Sequence, residues 1–227
     1  MEINKLDNPT WYSLCEDHKK FAINYRGVKF YDPDYCPFGA FIDIEGTKGS
    51  IDLYASIANN FFVVGDKPEY SDNVKLKGEL LCNQMILNKQ TGIEINSRII
   101  KLSTEVQIAD LQNLVNLVQP GYFKRKTQNL GCYYGIYKDD KLIAVTGERM
   151  KMLSYTEISA VVTHPEHTGK GYAKQLITHA ANEIFAQGKT PYLHVLNTNI
   201  GAIQLYEKIG FQTRRKVSFW NFIMDTK

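Results

Sequence analysis

Thr163-His164-Pro165-Glu166-His167-Thr168-Gly169-Lys170-Gly171-Tyr172-Ala173 lies between a run of β-forming residues and an amphipathic helical pattern. Glycine lets backbone approach a ligand closely, and the first turn of a helix presents unpaired amides carrying partial positive charge. Such a turn suits an anion, a pyrophosphate for example, without a basic cluster; it is equally an ordinary strand-to-helix connection. The stretch is not a Walker loop, which needs GxxxxGK[ST], nor a dinucleotide fingerprint, whose third glycine would fall on Lys174. One helix and one strand further on stands Asn199-Ile200-Gly201-Ala202-Ile203-Gln204-Leu205-Tyr206-Glu207-Lys208-Ile209-Gly210-Phe211, the pattern N-x-x-A-x-x-x-Y-x-x-x-G-F. Asn199 is a good N-cap, and Tyr206 sits on the apolar stripe of its helix, where core packing is the ordinary role. Glu157 and His194 place ionisable groups in strands expected at the centre of a sheet, where a lone polar residue is usually a satisfied structural partner. His164, His167 and His179 lack a metal-ligand spacing with a carboxylate partner, and no metal is expected. Lys170, Lys174 and the run Arg214-Arg215-Lys216 read as solvated charges that could also meet phosphates, and Glu148 with Arg149 could line a pocket.

The elements that must position these residues follow from periodicity and punctuation. Thr104-Glu105-Val106-Gln107 is a capping box, and apolar residues recur at helical spacing until Pro120-Gly121, which predicts a helix over 105–118. A hairpin follows, with strands over 131–137 and 141–147 about an Asp139-Asp140 turn, then a strand over 155–163. Ala173, Leu176, Ile177, Ala180 and Ile184 mark a helix that Gly188 ends; 192–196 is a buried strand; Ala202 to Ile209 is a helix closed by Gly210; 211–224 supplies one or two last strands. The order strand, helix, three strands, helix, strand, helix, strand predicts an α/β fold with a mixed sheet flanked by helices. A seam near residue 100 divides residues 1–97 from 98–227. The N-terminal part reads as a smaller α/β region, with strands in FGAFID and NFFVVG, a helix over 51–58 and an apolar run over 80–87, and a shaping or substrate-covering role.

On the two quoted segments, at that spacing and on those elements, residues 98–227 resemble the GNAT superfamily of acyl-CoA-dependent N-acetyltransferases. The resemblance implies acetyl-CoA as donor and an amine-bearing acceptor, a small molecule or a peptide. It implies that the pantetheine runs along Val161, Val162 and Thr163 like an added strand. His167, Thr168, Gly169, Lys170, Gly171, Tyr172 and Ala173 would hold the pyrophosphate through backbone amides. Glu166 and Thr168 stand where many members carry Gln or Arg, so the resemblance carries over no side-chain phosphate contact there and leaves the amides. Asn199 would bond the pantetheine arm as well as cap its helix, and Tyr206 would be the general acid that protonates the departing thiolate. For the base the resemblance offers Glu157 or His194, with a water-mediated path as the third course. Imidazole ordinarily titrates near neutrality, whereas Glu157 would need raising by desolvation. A longer acyl donor and a non-catalytic acyl-CoA sensor are the rival readings.

Composition sets the frame for all of this. The chain has 227 residues, 44% hydrophobic and 22% charged, enough to bury a core and unlike a disordered or collagen-like sequence. A net charge of +3, scattered along the chain, gives no nucleic-acid footprint. No secretory signal or membrane-spanning run is visible, so a cytoplasmic protein without a membrane partner is expected, with a homodimer left open. Cys15, Cys36, Cys82 and Cys132 form no CxxC pair and read as reduced thiols.

Overall fold

The computed structural model describes residues 4–225. In chain order the elements are α1 (Pro9–Cys15), β1 (Ala22–Tyr25), β2 (Val28–Tyr31), β3 (Phe38–Phe41), α2 (Thr47–Ala55), β4 (Asn60–Val64) and β5 (Val74–Ile86). They continue with β6 (Ile100–Lys101), α3 (Glu105–Val118), β7 (Tyr133–Lys138), β8 (Lys141–Lys151), β9 (Tyr155–Thr163), α4 (Tyr172–Ala186), β10 (Thr190–Leu196), α5 (Ile200–Ile209) and β11 (Gln212–Met224). The strand-helix order expected downstream of residue 98 is the order found.

The eleven strands among the described residues join one mixed sheet in the order β1-β2-β3-β4-β11-β5-β10-β9-β8-β7-β6. β5 comes from the N-terminal stretch yet lies between β10 and β11, antiparallel to both. The expected boundary at residue 97 thus falls in the irregular segment between β5 and β6, and the sheet passes across it. The tail is a single strand, β11, bulged near Arg214, rather than two.

Local chemistry explains the helix ends. The capping box of α3 forms in full: Gln107 N donates to Thr104 Oγ1 at 3.3 Å, and Thr104 N donates to Gln107 Oε1 at 3.1 Å. Asn199 caps α5 by accepting from Ala202 N at 3.1 Å, and Gly210, φ +110°, ends it. α4 differs: Gly171, φ +78°, precedes it and no side chain caps its first turn.

Side-chain alternation sorts the sheet into two faces. Ile158, Leu193 and Met85 enter the core under α4 and α5, with Leu176, Ile177, Ala180, Ile184, Ile209 and Phe211. On the opposite face Phe38, Phe62, Phe219, Met150 and Leu14 form a second cluster, contributed by both the N- and C-terminal stretches. No helix among the described residues is long and apolar enough to cross a membrane.

Candidate functional site

β9 and β10 begin as parallel neighbours and then part. Their register is Thr190 with Tyr155, Pro191 with Thr156 and Tyr192 with Glu157. Beyond that pair β10 follows β5, His194 opposite Gln84, while β9 stays on β8. The two strands leave a wedge whose closed end is the Glu157–Tyr192 pair and whose edges carry backbone groups with no ladder between them. Within the wedge β9 is bulged against β8, the register slipping between Val162–Val145 and Ser159–Gly147. Ala160 sits in that bulge at φ +50°, a left-handed conformation that costs a non-glycine residue roughly 1 kcal/mol and persists where the surroundings enforce it. Val161, Val162 and Thr163 follow at the open end.

The glycine turn continues from there. Gly169 and Gly171 adopt φ +75° and +78°, and a Cβ added at either meets no atom within 4 Å. Left-handed backbone, open space and an uncapped first turn of α4 together leave a run of exposed amides, suited to an anion. Thr168, Gly169 and Lys170 are exposed, and Lys170 Nζ bonds the Glu166 carbonyl at 3.3 Å. The three-residue turn before it brings one ligand atom each of His164, Glu166 and His167 within 4.8 Å of one another. This is a tighter group than their spacing suggested, although His164 Nδ1 already accepts from Glu166 N. Burial, then Lys170 and Lys138, lower the pKa of His167.

Tyr206 lies on α5 in the core cluster it shares with α4, 8% exposed, its ring 6.0 Å from that of Phe211. Its hydroxyl makes no hydrogen bond among the described residues, yet is absent from the buried unpartnered atoms, so solvent reaches it. Burial pushes the phenol up to about 12, which keeps it protonated at any ordinary pH. Asn199 is exposed, and its capping bond to Ala202 N leaves its amide nitrogen free for a further contact.

Glu157 and His194 come together at the closed end, on the face away from α4. Glu157 is fully buried and its carboxylate is filled. Oε2 accepts from Arg149 Nε at 2.8 Å and from Met150 N at 3.4 Å; Oε1 accepts from Arg149 Nη2 at 2.7 Å and lies 2.8 Å from His194 Nδ1. Burial works to raise this pKa, but the charge and hydrogen bonds of Arg149, followed by the hydrogen bond from His194, outweigh it and hold the carboxyl at about 2. The rise that Glu157 would need in order to act as a base is absent, because its buried partner is a cation.

The tautomer of His194 follows from its neighbours. Gln84 Oε1 accepts from Arg214 Nη1 at 3.0 Å, so its Nε2 faces the Leu6 carbonyl at 2.9 Å and His194 Nε2 at 3.2 Å as a donor. His194 Nε2 is then the acceptor, and Nδ1–H donates to Glu157. Sequence reasoning missed Gln84, and it treated Arg149 only as a pocket-lining candidate. Both act through partners distant along the chain, for which one sequence carries no local signal.

No curated protein matches the chain. Residues 133–220 match the family of FR47-like proteins. A solved structure from Novosphingobium aromaticivorans, a protein assigned to the GNAT family as an acetyltransferase, is 28% identical over 99% of this chain and 100% of that one, with a TM-score of 0.88. The chain is thus similar to FR47-like proteins over residues 133–220 and to a GNAT-family structure over its length. Two more distant structures share the GNAT fold over nearly their whole lengths. A GCN5-related N-acetyltransferase from Kribbella flavida is 9% identical, TM-score 0.60, over 98% of this chain and 95% of that one. A GCN5-related N-acetyltransferase-like protein from Streptococcus suis is 13% identical, TM-score 0.56, over 97% and 96%.

Proposed function

We propose that the protein transfers an acyl group, acetyl above all, from acetyl-CoA to a primary amine in a ternary complex. The observation that carries this reading is the wedge between β9 and β10, bulged at Ala160 and ending on the uncapped amides of α4. An extended chain can pair with the free edge along Val161, Val162 and Thr163, and a diphosphate can sit on the amides from His167 to Ala173. Bound there, acetyl-CoA supplies an activated acyl carbon at the bulge.

The residues of the chain do the rest. A backbone amide at the bulge, near Val162, donates to the thioester oxygen as negative charge gathers on it. The amine's C–N bond forms, the C–S bond breaks, and Tyr206 gives its proton to the sulfur, to be reprotonated from solvent. Because burial holds the phenol above a thiol's ordinary range, donation is coupled to bond breaking rather than completed before it. Glu157 has no free lone-pair position and His194 Nε2 is occupied by Gln84, so the amine proton leaves through water. Glu157 and His194 then shape the closed end of the site.

The test is acetyl-CoA-dependent thiol release over a panel of amines, amino acids and peptides. Acceptor-dependent release is expected; CoA binding without turnover on any acceptor, unchanged by Tyr206→Phe, would identify a sensor instead.

A further inference from the structure

Arg149 spends only part of its guanidinium on Glu157. Nε and Nη2 form the two-pronged bond, while Nη1 makes no hydrogen bond among the described residues. Nη1 is not among the buried atoms left without a partner, and the side chain is 19% exposed, so the free edge meets solvent. The guanidinium lies over an aromatic ring: its Cζ is 4.7 Å from the centroid of Phe38. Phe38 packs edge-on against Phe62 and Phe219, at 5.6 and 5.4 Å, and Phe219 packs 5.3 Å from His194. The result is an N–H edge braced by Glu157 and set over an aromatic wall, beside the last paired residues of the wedge.

The local charge balance adds a second point. Glu157 already neutralises Arg149. Cys36, next in this wall, is pushed up to about 12 by burial, with Arg149 and Lys124 acting against that rise and Glu157 adding to it. Arg125 and Lys126 both pair with Asp34, whereas Lys124 forms no ion pair among the described residues. Lys124 is thus a cation of this neighbourhood with no ion pair of its own among the described residues, alongside the unspent donor of Arg149.

We infer that the acceptor amine carries a carboxylate, which docks on the free Nη1 edge of Arg149, so that the substrate class is small amino acids rather than polyamines or other purely cationic amines. The inference rests on the acyl-CoA reading of the wedge. A guanidinium in a low-dielectric wall binds a carboxylate more strongly than a neutral carbonyl, and a site built for that bond rejects an analogue lacking it. Arg149 is here a specificity residue; Glu157 fixes its plane and Phe38 covers its face.

Matched pairs of acceptors test this on the wild-type protein: glycine against glycinamide, alanine against alaninamide, and glutamate against its diamide, with spermidine as a cationic comparator. The acid of at least one pair is expected to exceed its amide by about 30-fold or more in kcat/KM, chiefly through KM. Arg149→Lys keeps the charge and loses the fork, and should raise KM for the acid by about tenfold with CoA affinity, read by calorimetry, unchanged. Lys124→Gln, on the loop and apart from the Glu157 network, should raise the same KM by about threefold and covers the case in which Arg149→Lys does not fold. Amides that match their acids, turnover confined to acceptors without a carboxylate, or CoA binding with no acid accepted would overturn the inference alone. Absence of CoA binding would instead overturn the reading of the wedge on which it rests.

Discussion

Glu157 ionises where an isolated buried carboxyl would stay protonated, because Arg149 and His194 give it more than burial removes. Its role as a clamp has a measurable consequence. Glu157→Gln leaves Arg149 half-paired in a buried wall and should cost about 3 kcal/mol of stability in urea denaturation at pH 7. Were Glu157 the base, turnover would collapse with stability intact. Tyr206→Phe tests the other assignment: turnover should fall about 100-fold with CoA affinity within about twofold, since the hydroxyl acts on the leaving sulfur alone. Full turnover in that variant would remove Tyr206 from the chemistry. Away from the wedge, His18 is buried between Ser13, Tyr31 and the Leu130 carbonyl, and burial lowers its pKa from 6.5 to about 4. The unfolded chain therefore binds a proton that the folded chain refuses between those values. Stability should fall as pH drops from 6.5 toward 4, by about 3 kcal/mol from this group, then level off for it. Denaturant midpoints across that range should flatten in His18→Gln; a slope unchanged by the substitution would assign the loss to other groups.

The elements carrying local punctuation were legible, and those defined by distant partners were not. The Thr104–Gln107 box, the Gly188 and Gly210 stops and the apolar stripes of α4 and α5 each act within a turn or two, so one sequence contains the whole signal. In the N-terminal stretch, FGAFID and NFFVVG became β3 and β4 and the helix over 51–58 became α2, while α1, β1 and β2 went unread. The apolar run over 80–87 is one end of β5, whose exposed first half reads as polar and whose position is set by β10 and β11 more than a hundred residues away. For the site, the glycine turn and the Asn199–Tyr206 helix were legible, whereas the Ala160 bulge and the Arg149–Glu157–His194–Gln84 chain exist only in three dimensions. At this scale the glycine turn makes its own prediction. The space a Cβ would enter at Gly169 is empty in the free protein, so Gly169→Val should cost only the roughly 1–2 kcal/mol of a left-handed β-branched residue. The same side chain would enter the space proposed for the diphosphate, and CoA affinity should drop by about tenfold or more. Unchanged affinity in the folded variant would contradict that placement.

Taken whole, the molecule is one sheet with the wedge near its middle, and the N-terminal stretch contributes strand as well as cover. β5 closes the gap between β10 and β11 and supplies Gln84 to the closed end, while β3 supplies Phe38 to the aromatic wall. A fragment of residues 98–227 would expose the facing edges of β10 and β11 and the apolar side chains that Met85 and Leu87 cover. It should fail to give a cooperative thermal transition by circular dichroism; a fragment that melts cooperatively and binds CoA would show the N-terminal stretch to be a separable cover. The claim on which the rest depends concerns the wedge, and isothermal titration of the intact protein with coenzyme A tests it most directly. Saturable binding at one site per chain, displaced by acetyl-CoA and weakened in Gly169→Val, is the predicted result. A folded protein that takes up neither coenzyme A nor acetyl-CoA would contradict the account.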